Sequence, residues 1–389
     1  MPVILSILTE ELMLNKLVFV AILIALSAML LSCDTANNTQ TSCQWPIIEG
    51  FPKPQVPKDN PMSEAKVLLG KKLFFDKSLS ANQQQSCESC HFQAFAFAEN
   101  RSVSQGSTGE IHRRNAPALV NIAYNKTLTW AHDGITTLER QILIPMFGES
   151  PIELGITGHE AKVLARFDSQ VYQALFEQAF DGQPLSFELI VKALASYVRS
   201  LISLNSPFDR YAYFGDDDAI SASAIRGMDL FFSERLECHH CHGGFNFTQS
   251  TGHEQQLLDR RPFHNTGLYN VEGSSAGYPQ KDIGLAEIST LAKDNGRFRA
   301  PTLRNIRYSG PYMHDGSVAT LSEVIDIYAA GGRNIAHGLY QGDGRANPLK
   351  SQFIKGFELT AEEKQDLLAF LDALTDQAFL TSSKHQLSE

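Results

Sequence analysis

Apolar residues recur every three or four positions along much of the chain, the spacing that places them on one face of an α-helix. The pattern is clearest over residues 63–76, 158–167, 187–203 and 225–233. Alternation of apolar and polar residues, which is typical of β-strands, is scarce. The hydrophobic pattern therefore predicts a mainly α-helical protein.

Two further helices are predicted towards the C-terminus. Thr360 and Glu363 form a capping box ahead of the stretch QDLLAFLDAL. Residues 320–332, TLSEVIDIYAAGG, have the pattern of a short amphipathic helix that stops at a glycine pair. Tyr328 falls at the end of this helix, and the pattern allows it either a place in a core or a role as a metal ligand.

The first 33 residues are predicted to be a signal peptide of the lipoprotein type. An apolar run at 17–32 follows Lys16 and is short for a membrane span, which is the alternative. The run leads into L-L-S-C, the pattern of a bacterial lipoprotein cleavage site, so Cys33 is the predicted lipidation residue. Residues 34–60 are rich in Asn, Thr, Ser, Pro and Gln and predict a flexible tether.

Two C-x-x-C-H motifs lie about 150 residues apart in the chain. The motif residues are Cys87, Cys90 and His91, and then Cys238, Cys241 and His242. This is the signature of c-type haem attachment, in which two thiols add to the porphyrin vinyl groups and the histidine binds iron. A single copy could be a chance match or a redox dithiol, and zinc sites place their two pairs much closer together. Two copies behind an export signal predict two covalently bound haem c groups.

The surroundings of the motifs predict two haem domains in tandem. Gly70 and Gly227 each begin a G-x-x-x-F-F helix end about a dozen residues before a motif. We therefore predict two cytochrome c-like domains, an N-terminal one at 61–210 and a C-terminal one at 211–380. Inside the second motif, His239 and His240 are interpreted as solvent-facing spacers, and Cys43 is left without a role.

Charge narrows the possible partners. The 389 residues carry a net charge of −10, which argues against nucleic acid because phosphate backbones bind basic surfaces. An acidic surface leaves room for a basic electron-donor protein.

With these motifs the chain resembles the bacterial di-haem cytochrome c peroxidases and MauG, the di-haem enzyme of methylamine utilisation. The resemblance covers residues 63–375 approximately, and two stretches, LTWAHDG and MFGESPIELG, are most similar to the MbnH-like branch. The founding member of that branch oxidises a tryptophan on a copper-binding partner protein. The segments that carry the resemblance include CESCHFQAFAFA, RNAPALVNIAYN, DGITTLERQ, CHGGFNFT, FHNTGLYN, RFRAPTLRNI and PYMHDG.

The resemblance implies that the first haem, bound by His91, is the peroxide site. In the family a glutamine, a proline and a glutamate line its open face, and Gln141, Pro145 and Glu153 occupy those positions here. Such residues suit the chemistry, since a carboxylate in a dry pocket can move the peroxide proton while an amide holds the peroxide. The histidine that blocks this iron in many peroxidases is replaced by Ser107, which implies a first haem that is open at rest. His112 lies nearby in sequence, at the wrong offset.

The resemblance also gives Tyr328 a role. The peroxidases carry a methionine ligand to the second haem fourteen residues after the histidine of P-Y-x-H-x-G, and that position, counted from His314, is Tyr328. MauG and its near relatives carry tyrosine there. A tyrosinate ligand is hard and anionic and lowers the reduction potential of the iron. Trp130 matches the tryptophan that carries electrons or holes between the haems; the other tryptophan, Trp45, lies in the tether.

A structural calcium is typical of the family, bound by an asparagine side chain and two carbonyls. The matching positions are Asn115, Ser309 and Pro311, and oxygen ligands suit a hard cation.

Two enzymatic functions follow from the resemblance. In the first, peroxide forms high-valent iron and the enzyme oxidises a partner protein, as in MauG and MbnH. In the second, a cytochrome c peroxidase reduces hydrogen peroxide to water with electrons from a small cytochrome or cupredoxin. A pure electron carrier is the non-enzymatic alternative, although it needs no open pocket. All three place the protein on the periplasmic side of a bacterial envelope, attached to the membrane only through lipid on Cys33.

Overall fold

Helices make up most of the regular structure, as the hydrophobic spacing predicts. The computed structural model describes residues 50–258, 260–273 and 277–387. The predicted signal peptide, Cys33, Cys43, Trp45 and most of the predicted tether therefore lie outside the described residues. Within the described ranges, no helix has the length and apolar character needed to cross a membrane.

The α-helices are α1 Glu64–Phe75, α2 Leu138–Phe147, α3 Glu160–Leu164, α4 Gln170–Phe180, α5 Phe187–Arg199, α6 Pro207–Phe214, α7 Ala222–Phe231, α8 His239–His242, α9 Ala286–Ser289, α10 Leu321–Ala329, α11 Ala361–Ala373 and α12 Gln377–Thr381. Short 3-10 turns link several of them. The strands of the described part are β1 Asn334–Ile335 and β2 Gly342–Asp343, which pair antiparallel.

Capping boxes begin two of the predicted helices, and the one at Thr360 confirms a prediction from the sequence. Thr360 and Glu363 form a reciprocal capping box at the start of α11, and Thr320 does the same with Glu323 at the start of α10. Helix α10 ends just before Gly331, which has the left-handed φ of 76° that favours glycine. Tyr328 is therefore held in the last turn of a well-defined helix.

The helix predicted over 187–203 is shorter than its hydrophobic pattern. Helix α5 ends at Arg199 because a buried asparagine captures the backbone that follows. Asn121 donates its N–H to the carbonyl of Leu201 at 2.8 Å, and its Oδ1 accepts from the N–H of Ser203 at 2.7 Å. These tertiary hydrogen bonds replace the helical ones, so the apolar spacing alone overestimates the helix by four residues.

The G-x-x-x-F-F repeat marks the same helix crossing in both halves of the protein. A Cβ on Gly70 of α1 would lie 1.9 Å from the carbonyl oxygen of Ala193 in α5. A Cβ on Gly227 of α7 would lie 1.9 Å from the carbonyl oxygen of Asp366 in α11. Each glycine therefore allows two helix backbones to approach more closely than any side chain would permit.

Aromatic packing follows the same plan at both crossings. Phe74 after the first glycine packs edge-on against Tyr197 of α5 at 5.1 Å between ring centroids. Phe231 after the second packs against Phe370 of α11 at 5.2 Å. The two crossings lie in different buried clusters, the first built mainly from α1 to α5 with α12, and the second mainly from α6, α7, α10 and α11. This duplicated arrangement supports two similar halves.

We predict that Gly227→Ala destabilises the protein strongly, because the new methyl group overlaps the backbone of α11. Overpacking usually costs about 1–3 kcal/mol, and backbone overlap leaves little room for relief. Thermal unfolding of the holoenzyme measures the effect. Asp229→Ala, at an exposed position of the same helix, serves as the control and should change stability by less than about 0.5 kcal/mol. Equal unfolding temperatures for the two variants would contradict the close crossing.

The C-terminal segment returns to the first half of the chain. Phe379 and Leu380 of α12 are buried in the first cluster. The side-chain amide of Gln93 donates to the carbonyls of Phe379 and Ser382, at 3.0 and 2.9 Å. The described residues belong to one compact unit, and the domain division at 210/211 stays a prediction.

Candidate functional site

The histidine of each C-x-x-C-H motif is held by backbone carbonyls. His91 Nδ1 lies 2.7 Å from the carbonyl oxygen of Phe97, and His242 Nδ1 lies 3.2 Å from that of Phe247 and 3.1 Å from that of Pro301. A carbonyl only accepts, so Nδ1 of each ring carries the proton. Nε2 is then left with the lone pair that an iron ligand requires.

A shared backbone conformation aims these carbonyls. Phe97 and Phe247 have φ values of 59° and 49°, in the left-handed region that is uncommon for a bulky residue. Burial lowers the pKa of His91, and it lowers the pKa of His242 to about 4. Both imidazoles are therefore neutral at physiological pH, as metal ligation demands.

The motif cysteines fit covalent haem better than zinc or a redox dithiol. Burial raises the pKa of Cys87 and Cys238 to about 12 and that of Cys90 and Cys241 to about 11. None of the four forms a disulfide with a described residue. Zinc ligation and thiol exchange require thiolates with lowered pKa, whereas thioether formation yields a neutral, apolar sulfur that suits these surroundings.

A largely apolar cavity opens beside the second motif. Cys238, Cys241 and His242 line it together with Tyr328. Leu367 and Leu371 of α11 form part of its wall. The cavity thus brings the predicted attachment residues and the predicted distal ligand to one place.

Tyr328 presents an unused hydroxyl to this cavity. Burial, and then the nearby Cys241 and Cys238, raise the pKa of Tyr328. The side chain is partly buried, and its hydroxyl makes no hydrogen bond to the described residues. The hydroxyl of Tyr328 is therefore available to a partner in the same cavity that His242 lines, and its role as an iron ligand stays a prediction.

Arg299 is a feature of the second site that sequence analysis missed. Its side chain is buried at the cavity wall, and burial lowers its pKa to about 10. Its guanidinium donates to the carbonyls of Thr129 and Ala300, and no carboxylate ion pair with it occurs in the described part of the chain. A buried, uncompensated cation costs free energy. A haem propionate is an anion that would compensate it.

Glu153 lies beside the first motif. Its negative charge contributes to the raised pKa of both Cys87 and Cys90. Burial raises the pKa of Glu153 to about 7. A carboxyl with this pKa can accept and return a proton near neutral pH.

Ser107 packs against the loop that carries Glu153. Its N–H donates to the carbonyl oxygen of Glu153 at 2.8 Å, and a Cβ on Gly155 would come within 2.9 Å of its hydroxyl. The position at which many peroxidases carry a blocking histidine is thus occupied by a small side chain that packs against the loop of Glu153. The N–H of His112 donates to the carbonyl oxygen of Ser104 at 2.9 Å.

Helix α2 carries the other two predicted residues of the peroxide site. Gln141 Oε1 is buried without a hydrogen-bond partner, and such an orphaned acceptor is costly unless a ligand satisfies it. Pro145 lies one turn further along, inside the helix, and its carbonyl accepts from the N–H of Leu154 at 2.9 Å. This hydrogen bond ties α2 to the residue after Glu153.

Trp130 also lines the second cavity. Its indole Nε1 donates to the carbonyl oxygen of Asn115 at 2.8 Å, and its own carbonyl accepts from the N–H of Arg299 at 2.7 Å. The ring is therefore held against the second site. Its predicted position between two haems stays a prediction.

Asn115, the side-chain ligand of the predicted calcium site, is held by several hydrogen bonds of its own. Asn115 donates its backbone N–H to His314 at 2.8 Å and its amide NH₂ to the carbonyls of Arg101 and Ser102. Its Oδ1 makes no hydrogen bond to any described residue and is available to a cation. No contact joins it to the carbonyls of Ser309 or Pro311 within the described ranges, so the calcium site stays a prediction.

Comparison with known proteins agrees with this geometry. A family model described as di-haem cytochrome c peroxidase matches residues 64–218. Cytochrome-c peroxidase IdrP1 of Pseudomonas sp. (strain SCT) is 34% identical over 363 residues, which cover 90% of this chain and 91% of the relative. The chain belongs to the di-haem cytochrome c peroxidase family.

Other members of the family carry a different name. Methylamine utilization protein MauG of Methylophilus methylotrophus is 32% identical over 359 residues, covering 89% of this chain and 94% of that protein. A crystal structure of a MauG-like protein associated with microbial copper homeostasis is 46% identical and superposes with a TM-score of 0.85, covering 88% of this chain and 98% of that one. The expected fold, the family and the haem peroxidase class of oxidoreductase are thus confirmed.

Membership of this family implies two c-type haems, hydrogen peroxide and a redox partner protein, and its members are typically periplasmic. Since relatives named peroxidase and relatives named MauG both match, the family alone does not decide between the two predicted activities. The residues of the two sites have to decide.

Proposed function

We propose that this protein uses hydrogen peroxide to oxidise a partner protein, in the manner of MauG-like enzymes. Cys87, Cys90 and His91 would hold the first haem, and Cys238, Cys241 and His242 the second, with Tyr328 as its other ligand. The observation that carries the proposal is that Tyr328 and His242 line one cavity, where the Tyr328 hydroxyl makes no hydrogen bond to the described residues. Bound haem would supply the one-electron chemistry that amino acids lack.

At the first site, Glu153 and Gln141 would handle the peroxide. The Glu153 carboxylate takes a proton from one peroxide oxygen and returns it to the other, while Gln141 Oε1 accepts a hydrogen bond from the bound peroxide. Each hydrogen peroxide takes up two electrons and two protons and leaves as two water molecules. The two electrons come from the partner protein.

The tyrosine ligand proposed for the second haem distinguishes a MauG-like enzyme from an ordinary peroxidase. A tyrosinate ligand disfavours the reduced iron that a peroxidase gathers from its electron donor. The small Ser107 beside Glu153 supports a first site that needs no reductive activation. A cytochrome c peroxidase that draws electrons from a small cytochrome or cupredoxin is the second candidate, favoured by the relatives that carry that name.

The partner we propose is an exported protein with an oxidisable tryptophan or tyrosine. One similar structure is associated with microbial copper homeostasis, so an exported copper-binding protein is the first partner to test. We further propose that lipid on Cys33 holds the enzyme at the membrane, and that Asn115, Ser309 and Pro311 bind calcium.

Adding one equivalent of hydrogen peroxide to the fully oxidised holoenzyme, without reductant, tests the proposed function. Optical and Mössbauer spectra should change rapidly at both haem irons. If no reaction occurs until one haem is reduced, the protein is a conventional peroxidase and the proposed role of Tyr328 is wrong.

Trp130→Phe is predicted to slow oxidation of the partner protein by at least about tenfold while leaving the initial reaction with peroxide unchanged. Phenylalanine keeps most of the ring volume but is far harder to oxidise, and it loses the hydrogen bond to Asn115. Stopped-flow spectra and partner oxidation should be measured on the same samples. Tyr124→Phe, which removes a hydroxyl bound only to the carbonyl of Pro52, is the control. Equal partner oxidation by Trp130→Phe and the wild type would remove Trp130 from the electron path.

A further inference from the structure

We propose that Glu234, His239 and His240 form a binding site for a divalent transition-metal ion, with Cu²⁺ as the preferred ion. The two histidines are the middle residues of the second haem motif, where they do not serve the haem iron. Within the described residues, each of the three offers a ligand atom that lies within 4.8 Å of the other two. This site is separate from the peroxide site and from the calcium prediction.

The distances between the donor atoms suit a metal ion better than direct hydrogen bonds. His239 Nε2 lies 3.6 Å from Glu234 Oε1, and His240 Nε2 lies 3.7 Å from Glu234 Oε2. Both distances exceed the limit for a hydrogen bond. The histidine nitrogens approach different oxygens of Glu234, and one ligand atom from each residue lies within 4.8 Å of the other two. Ligands about 2.0–2.1 Å from a tetrahedral ion are roughly 3.3 Å apart, so the side chains would draw together by up to about 1.5 Å when the ion binds.

Packing fixes the two imidazoles while leaving their nitrogens unused. The rings of His239 and His240 lie 4.2 Å apart, and His240 stacks on Phe353 at 4.4 Å with an angle of 17° between the planes. Nδ1 of His239 is buried without a hydrogen-bond partner. In the described part of the chain neither ring makes a hydrogen bond, so no competing interaction has to be broken when a metal binds.

Charge around the cluster favours a cation, with one opposing group. Glu237 Oε2 lies 4.0 Å from His240 Nε2 and adds a second carboxylate. Lys355 Nζ lies 3.1 Å from the other oxygen of Glu237 but is largely exposed, so water screens its charge. Two carboxylates facing one exposed ammonium leave a net negative site.

The donor set determines the class of ion. Two imidazoles and a carboxylate suit Cu²⁺, Zn²⁺ and Ni²⁺, whereas Mg²⁺ and Ca²⁺ prefer oxygen ligands alone. Of the first group, Cu²⁺ binds such ligands most tightly according to the Irving–Williams order. The exposed carboxylate of Glu234, with its side chain 80% accessible, leaves an open path for the ion.

Copper titration of the resting holoenzyme tests the site without any peroxide chemistry. After treatment with a chelator, CuSO₄ is added and followed by electron paramagnetic resonance and calorimetry. We expect one equivalent of Cu²⁺ to bind, with an electron paramagnetic resonance signal that is split by two nitrogen ligands. Glu234→Gln lies outside the haem motif and should weaken binding of this equivalent by at least about tenfold, since even indirect partners of metal ligands cost 10–100-fold when lost. His240→Gln should weaken copper binding further.

His337→Asn is the matched control, because His337 is exposed and distant from the cluster in sequence. It should leave the titration unchanged. Haem content is measured for every variant, so a failure of haem attachment in His240→Gln cannot be mistaken for loss of the copper site. If Glu234→Gln and His240→Gln both bind copper as tightly as the wild type, the proposal is overturned. The proposed peroxide chemistry would be unaffected by that result.

Discussion

Glu153→Gln should slow the reaction of the holoenzyme with hydrogen peroxide by on the order of 10²–10⁴-fold, the usual contribution of a general acid–base group. Glutamine has nearly the same shape but cannot take the peroxide proton. Stopped-flow absorbance at several peroxide concentrations gives the second-order rate constant. Glu149→Gln, an exposed glutamate four residues earlier, is the control and should react like the wild type.

The pH profile separates a proton-transfer role from a structural one. Burial raises the pKa of Glu153 to about 7, and peroxide deprotonation requires the carboxylate. The wild-type rate constant should therefore rise with pH and level off above about 7, whereas Glu153→Gln should show no such rise. If Glu153→Gln still shows the rise of the rate constant with pH and Glu149→Gln does not, Glu153 is not the proton acceptor.

Glu153→Gln should be at least as stable as the wild type although it reacts more slowly with peroxide. A carboxyl whose pKa is raised in the folded state contributes most to stability at low pH, and this contribution is lost as the pH rises through 7. Neutral glutamine avoids that loss. Glu153→Gln should consequently unfold at the same or a higher temperature than the wild type at pH 8, which excludes misfolding as the cause of its slow reaction.

Tyr328→Met should raise the reduction potential of the second haem by a few tenths of a volt, out of the roughly 0.8 V range that axial ligands set. A neutral thioether favours reduced iron, whereas an anionic tyrosinate favours oxidised iron. Spectroelectrochemical titration of the holoenzyme measures the change. The variant should also lose oxidation of the partner protein while the first site still reacts with peroxide.

Tyr312→Phe is the matched control for this exchange. Tyr312 lines the same cavity, but its hydroxyl already donates to the carbonyl of Ile306 at 3.1 Å. Removing this hydroxyl should leave the potential of the second haem nearly unchanged. If Tyr328→Met and Tyr312→Phe shift the potential equally, Tyr328 is not a ligand and its hydroxyl is simply a buried polar group.

The sequence predicted the elements that depend on local signals. Capping residues and apolar spacing located α10 and α11, and the G-x-x-x-F-F repeat marked the two glycine crossings. The haem motifs and Tyr328 were found because their spacing is fixed by the chemistry of attachment and ligation. These features depend on residues close together in the chain or on a strict count between them.

Features that depend on residues far apart in the chain could not be predicted from the sequence. The end of α5 is set by Asn121, about 80 residues earlier, and Arg299 gives no local sign that its guanidinium faces the second cavity. The carbonyls of Phe97 and Phe247 could have been suspected, since a phenylalanine follows each motif histidine at a similar distance. Their left-handed backbone, which aims the carbonyls, becomes apparent only in the folded chain.

The return of the C-terminus to the first half has a consequence for biosynthesis. Gln93, two residues after the first haem motif, binds a carbonyl 286 residues further along the chain. At a synthesis rate of about 5–20 residues per second, that carbonyl is made on the order of 15–60 s later. The first motif thus emerges long before α12 can close the core beneath it. A chain exported while it is being made would present Cys87 and Cys90 for haem attachment during this interval, and a chain that stops short of α12 would lack the Phe379 and Leu380 side chains that complete the first cluster.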